Sequence, residues 1–194
     1  RSSDKLKQLA NSLPNDPVVI EGDLSVPDGW KVIADSALEA LGKVDILVNN
    51  AGVNATESLN KLTSESFDQV MMVNVRNLVL LTHALGASLA ERQGAVVNIS
   101  SVSAYCGGVG QIAYSTSKGA VNSFTRNASR DLGRMGVRVN GIAPGVIDDG
   151  MWKTAFEGGV DREKTIERMR PMLPLQGRWG TAQDIANAVA WLAS

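Results

Sequence analysis

The sequence predicts an α/β domain: a doubly wound parallel sheet with helices on both faces. Three observations carry that prediction. Short β-branched apolar runs recur along the chain, segments of helical periodicity lie between them, and the runs are mostly continuous in apolarity rather than alternating. Continuous apolarity marks strands covered on both faces, as in a parallel sheet flanked by helices. Alternation of strand and helix along the chain then gives the α/β class.

The elements follow in order. Residues 18–20 (VVI) are the first expected strand, and residues 44–48 (VDILV), 95–99 (AVVNI) and 137–142 (VRVNGI) are the next three. Helices are expected over 28–41, over 64–89 with a break, and over 114–132. Asn74 lies inside the second of these, where asparagine is a poor helix former, and it marks a local kink or a purpose. Val75, Leu78, Val79, Thr82, Leu85 and Leu89 keep the i, i+3, i+4 spacing of one apolar face. His83 stands beside that stripe and reads as a satisfied structural histidine. Residues 144–180 are too long for a tight connection and carry Trp152, Phe156, Met169, Met172 and Trp179, which makes them a candidate substrate lid. The last stretch opens with Thr181 as an N-cap and Asp184 at the third helical position, so it predicts one more helix.

Composition narrows the chemistry. A chain of 194 residues with 44% hydrophobic content can bury a sizeable core, and residues 1–194 are expected to form a single domain. The formal net charge is -1, from 19 basic and 20 acidic residues without a run of like charge, which argues against nucleic acid and membrane surfaces as partners. A small molecule or a second copy of the chain is the expected partner. Cys106 is the single cysteine and His83 the single histidine, so disulfide frameworks, zinc sites, Cys-His nucleophiles and Ser-His-Asp triads lack their parts. No metal site is expected. No apolar stretch is expected to reach bilayer length and the first residues, RSSDKLKQL, do not look like a signal peptide, so the expected setting is cytoplasmic. The sequons at Asn54, Asn98 and Asn127 read as chance matches.

The residues that could carry chemistry cluster at strand ends. Tyr114 and Lys118 stand at i and i+4 near the start of a helix and share a face. A phenol is a poor acid-base group at neutral pH unless a neighbouring cation stabilises the phenolate, and Lys118 has the spacing to do so. Ser101 lies thirteen residues before Tyr114, just past a strand, where open parallel sheets place their ligands. Asn50, Ala51 and Gly52 follow another strand with small side chains that let a flat ligand approach the backbone. GDL (22–24) closes the first expected strand and APGVI (143–147) the fourth.

The ordered set GDL, NNAG, VNV, NISS, Tyr-x-x-x-Lys, RVNGIAPG and PLQGRWGTAQDIANAVAWLAS resembles the classical short-chain dehydrogenase/reductase family over essentially the whole chain. Bacterial 3-oxoacyl-carrier-protein reductases look most similar. The resemblance implies a Rossmann-type fold and hydride transfer between a nicotinamide cofactor and a carbonyl or secondary alcohol substrate. It implies Tyr114 as the general acid, Lys118 as the group that lowers its pKa and holds the nicotinamide ribose, and Ser101 as donor to the substrate oxygen. Asn74 would keep its helix kinked and support a water that passes protons to Lys118. Asp23 and the Leu24 backbone would meet the adenine edge, and Asn50, Ala51 and Gly52 would line the adenosine ribose. Pro144, Gly145 and Ile147 would run along the nicotinamide, while Ser103 and Trp152 would join the substrate pocket. A homodimer or homotetramer is implied as well. The alternative is a non-catalytic cofactor-binding or scaffold relative, or a truncated inactive form.

The sequence departs from the family pattern in three places. The glycine-rich phosphate loop is absent, and its look-alike GVGQIA (108–113) lies too far from the preceding strand to serve as one. In the family's strand order 3-2-1-4-5-6-7 the first two expected strands lie three slots apart, on the order of 14 Å. Strands 1 and 2 and the last strand are therefore expected to belong to a longer protein, with this domain partial at both ends, or else the chain is expected to pair its strands unusually. Arg1 followed by Ser2 matches the family's grip on an adenosine 2'-phosphate, which favours NADP(H) over NAD(H). Asp149 stands where the family usually has a threonine beside the nicotinamide carboxamide.

Overall fold

The computed structural model describes residues 3–148, 150–173 and 177–194. Arg1, Ser2 and Asp149 lie outside them. Among the described residues β1 (Ile46–Asn49), β2 (Ala95–Ile99) and β3 (Arg138–Ile142) form a parallel sheet in the order β1-β2-β3. Ile46 stands opposite Ala95, and Ala95 opposite Arg138, so the three strands start level, and β1 ends one residue before β2 and β3. Their carboxyl ends form a single edge.

Helices α2 (Gly29–Leu41), α4 (Asn77–Glu91) and α5 (Ile112–Asp131) share a core with the sheet. Ala34 of α2, Leu81, Leu85 and Leu89 of α4 and Ala128 of α5 are buried with Val96 and Val139. Each large aliphatic side chain removed from water in this way contributes roughly 1.5–3 kcal/mol. Side chains alternate across a strand, so Asn98 shares the face of Val96, whereas Ala95, Val97 and Ile99 take the other. These three are buried too, and α8 (Ala182–Ala193) packs against β2 and β3. Both faces of β2 are thus covered, which is why AVVNI reads as one apolar run.

Buried polar side chains lock strands to helices. Asn49 donates to Asn98 Oδ1 at 2.8 Å and to Thr82 Oγ1 at 3.0 Å, and Asn98 donates to Thr125 Oγ1 at 3.0 Å. The chain runs from α4 through β1 and β2 to α5. Each such bond is worth about 1 kcal/mol net, and more is lost if a partner is left unpaired.

The break expected in the long helix is a π-turn. α3 (Ser64–Met71) passes into π geometry over Met72–Arg76 and then into α4, placing Asn74 at the middle of the irregular turn. π-turns inside α-helices are often found at functional sites. The whole run Ser64–Glu91 is 28 residues long and apolar enough by composition to cross a membrane, which corrects the expectation that no segment would be. Half of its most apolar window is buried inside the protein, so its apolarity serves the core.

Three other expectations change. Residues 18–20 are not a strand: Val18 is 55% exposed and the segment has no ladder partner among the described residues. An apolar run becomes a strand only where a neighbouring backbone takes up its N–H and C=O groups. α1 (Ser3–Ser12), amphipathic with exposed Leu6 and Leu9, is a helix the sequence reading does not predict. His83 is exposed on α4 instead of packed in the core. The final helix is as expected, with Thr181 and Asp184 forming a capping box at the start of α8.

Candidate active site

The site lies at the carboxyl edge of the sheet, where β1, β2 and β3 release the chain into loops. Beyond β2, Ser101 caps a short turn: its Oγ accepts from Ser103 N at 3.1 Å. Ser100 N donates to Ile142 O at 2.7 Å and Val102 N to Pro144 O at 3.0 Å, so the loops after β2 and β3 run side by side. This places Pro144 and Gly145 next to Ser101.

Helix α5 opens at Ile112 with Gln111 as its N-cap, so Tyr114 and Lys118 fall on successive turns and share a face. Both are buried, at 8% and 3% exposure. Lys118 Nζ donates to Ile99 O at 2.7 Å and lies 5.7 Å from the centre of the Tyr114 ring. Burial lowers the Lys118 pKa from 10.5 to about 8. Burial also raises the Tyr114 phenol above 10, and a hydrogen bond with the Ser101 side chain pulls it back part of the way. The Lys118 ammonium is itself destabilised by burial and donates to a backbone carbonyl.

Asn74 approaches from the π-turn. Its Oδ1 accepts from Val53 N at 2.8 Å, and its Nδ2 donates to Val53 O at 2.9 Å and to Ser117 Oγ at 3.0 Å. Ser117 in turn donates to Tyr114 O at 2.7 Å. Asn74 is therefore clamped between the loop after β1 and the helix that carries Tyr114. A Cβ on Gly52 would lie 3.4 Å from Asn74 Oδ1 and 3.5 Å from Lys118 Nζ, which shows these three residues converging. Asn50 and Ala51 are exposed beside them, and around Gly145 a Cβ would meet open space. The small Gly52 beside Lys118 and the open space around Gly145 suit the close approach of a ligand to the backbone.

The other expected residues divide. Asp23 sits in the loop before α2, where its Oδ1 accepts from the Ser25 amide at 2.8 Å and the Ser25 hydroxyl at 2.7 Å, and Leu24 follows it. Ile147 is paired with Gly180, joining the loop after β3 to the entry of α8. Ser103 Oγ donates to Gln111 Oε1 at 3.1 Å on the side of Ser101. Trp152 is on α6 (Met151–Glu157), where it packs on Phe156 with ring centres 5.7 Å apart and against Trp179 at 5.4 Å. GVGQIA is loop up to Gly110 and helix from Ile112, and the preceding strand β2 ends well before it, at Ile99. Ser117, Gln111 and Asn77 were not singled out from the sequence. Ser117 could have been, as a hydroxyl one residue before Lys118.

The family model described as enoyl-(acyl carrier protein) reductase matches residues 1–194. The chain is 32% identical over 194 residues to the 3-oxoacyl-acyl-carrier-protein reductase FabG of Thermotoga maritima, covering 98% of this chain and 75% of that one. It belongs to the classical short-chain dehydrogenase/reductase family. A second relative is the (2S)-[(R)-hydroxy(phenyl)methyl]succinyl-CoA dehydrogenase subunit BbsD of Thauera aromatica, 36% identical over 173 residues, covering 89% of this chain and 65% of its own length. The structure of an NAD+-bound xylitol dehydrogenase superposes with a TM-score of 0.85 at 28% identity, covering 97% of this chain and 78% of that one. This likeness, with the parallel sheet between helices, is the Rossmann-type fold of the family.

Proposed function

We propose that this member of the family is an oxidoreductase that transfers hydride between a nicotinamide cofactor and a carbonyl or secondary alcohol substrate. The carrying observation is the convergence of Ser101, Tyr114 and Lys118: a buried phenol whose pKa the Ser101 hydroxyl pulls down against burial, with a buried lysine on the next turn. The bound nicotinamide supplies or accepts the hydride. Tyr114 holds the proton that the carbonyl oxygen takes up, and its raised pKa keeps it in the acid form at neutral pH. Ser101 donates to the same oxygen and positions it against the phenol. Lys118, with its pKa near 8, can exchange protons close to neutrality and resupply Tyr114, while Asn74 holds the loop after β1 beside it.

Asn50, Ala51, Gly52, Pro144, Gly145 and Ile147 would flank the ribose and nicotinamide, and Asp23 and Leu24 the adenine. Arg1 and Ser2 support NADP(H) over NAD(H). The substrate pocket would take Ser103 at its polar side and Trp152 at its apolar side, which suits a mid-sized carbonyl compound. Residues 1–194 act as one domain of a cytoplasmic homodimer or homotetramer, whose count a solution mass measures.

The test is a panel of carbonyl compounds, 3-oxoacyl thioesters included, offered with NADPH and with NADH to the wild type and to Tyr114→Phe. The proposal expects oxidation of reduced cofactor by the wild type, faster with NADPH, and a loss of about 100-fold or more in the variant. Equal rates for the two proteins would sink the mechanism. Cofactor binding without turnover across the panel would favour the non-catalytic alternative.

A further inference from the structure

The π-turn that carries Asn74 has a second end. Asn77, three residues on, is completely buried. Its Nδ2 donates to Leu24 O at 2.7 Å and to Val26 O at 2.8 Å, spending both amide protons on one loop. Arg76 reaches the Pro27 carbonyl of the same loop and also donates to Asn77 Oδ1 at 3.0 Å, which fixes which way the Asn77 amide is turned. The loop needs such support. Residues 17–23 enter it without a ladder, and β1 begins only at Ile46.

We infer that Asn77 is a positioning residue for the adenosine end of the cofactor: its amide hangs the Asp23–Val26 turn at a fixed place beside the π-turn. This rests on the proposed reading of Asp23 and Leu24 as the adenine contacts. The geometry supplies the rest. Within the turn, Asp23 Oδ1 is held by the Ser25 amide and hydroxyl, so the turn is rigid in itself. A rigid turn still needs an anchor, and the two carbonyls bound by Asn77 fix the peptide planes that follow Leu24 and Val26. Binding at the turn then avoids the cost of ordering it, the general benefit of preorganisation. Asn74 faces Ser117 and Lys118 from the same stretch of helix, so one irregular turn would set the nicotinamide side with one asparagine and the adenosine side with another.

The two ends can be tested separately. Binding of NADPH, of 5'-AMP and of nicotinamide mononucleotide is measured by calorimetry on the full-length wild type and on Asn77→Ala. Loss of two hydrogen bonds, partly made good by water on a half-exposed loop, is expected to weaken 5'-AMP and NADPH about tenfold. The affinity for nicotinamide mononucleotide stays unchanged. Should Asn77→Ala fail to fold, Asn77→Ser keeps a shorter donor and is read in the same way. Unchanged 5'-AMP binding, or an equal loss for both fragments, overturns the inference. A wild type that binds neither dinucleotide nor 5'-AMP would bring down the proposed function itself.

Discussion

The Asn74 amide donates to the Ser117 hydroxyl at 3.0 Å, and that hydroxyl donates to the Tyr114 carbonyl at 2.7 Å. Two residues separated by 43 positions thereby join the π-turn to the first turn of α5 in a fully buried contact. Ser117→Ala leaves one Asn74 proton buried without an acceptor, at a cost of about 1–3 kcal/mol. Urea unfolding should show that loss, and kcat should fall more than KM rises, because Asn74 and Tyr114 lose their common brace. Ser117→Thr, which keeps the hydroxyl, should recover most of both.

The depressed pKa of Lys118 gives stability a definite dependence on pH. Below about 8 the folded protein holds a buried ammonium, and the desolvation penalty is fully present. Between about 8 and 10.5 the unfolded chain still binds the proton that the native state has released, so this group makes stability rise with pH. The slope can approach 1.4 kcal/mol per pH unit at most. Tyr114 acts in the opposite sense only above pH 10, where the unfolded chain ionises first. The stability difference between Lys118→Met and wild type, followed by urea unfolding from pH 7 to 9.5, should shrink as pH rises. A difference that does not change with pH would show that the native lysine keeps an ordinary pKa.

Trp152 is expected to act on substrate affinity more than on chemistry. It stacks on Phe156 and meets Trp179, away from the proton path. Trp152→Ala should raise KM for bulky apolar carbonyl compounds several-fold while small ones are little affected. A fall in kcat for every substrate alike would move Trp152 into the reaction itself.

Gly94 stands where the sheet leaves no room. A Cβ there would lie 2.1 Å from the backbone oxygen of Asp45, which also accepts the Ala95 amide at 2.9 Å. Gly94→Ala must push β1 and β2 apart at the start of their ladder, and a loss of about 1–3 kcal/mol is expected. Thermal unfolding measures it.

Much of the site could be read directly because local chemistry and final geometry agree. Tyr114 and Lys118 share a helix face by spacing alone, Ser101 sits at a strand end, and Thr181 with Asp184 forms its capping box within four residues. AVVNI is a strand over its whole expected length because both its faces are covered. Other features depend on partners distant in sequence. Residues 18–20 have strand-like side chains without a neighbouring backbone, α1 has no strong sequence signal, and His83 lies just off the buried face of α4.

The sequence by itself determined the α/β class, the helix break at Asn74 and the residues of the candidate site, since periodicity, capping and residue chemistry are local properties. Tertiary structure decided how those side chains behave. It moved the lysine pKa to about 8 and left Tyr114 raised, because burial and hydrogen-bond direction exist only once the chain is packed. It also made Ser117 and Asn77 braces at the two ends of one π-turn. Their partners lie 43 and more than 50 residues away, a distance over which only folding can choose between an ordinary polar side chain and a structural one.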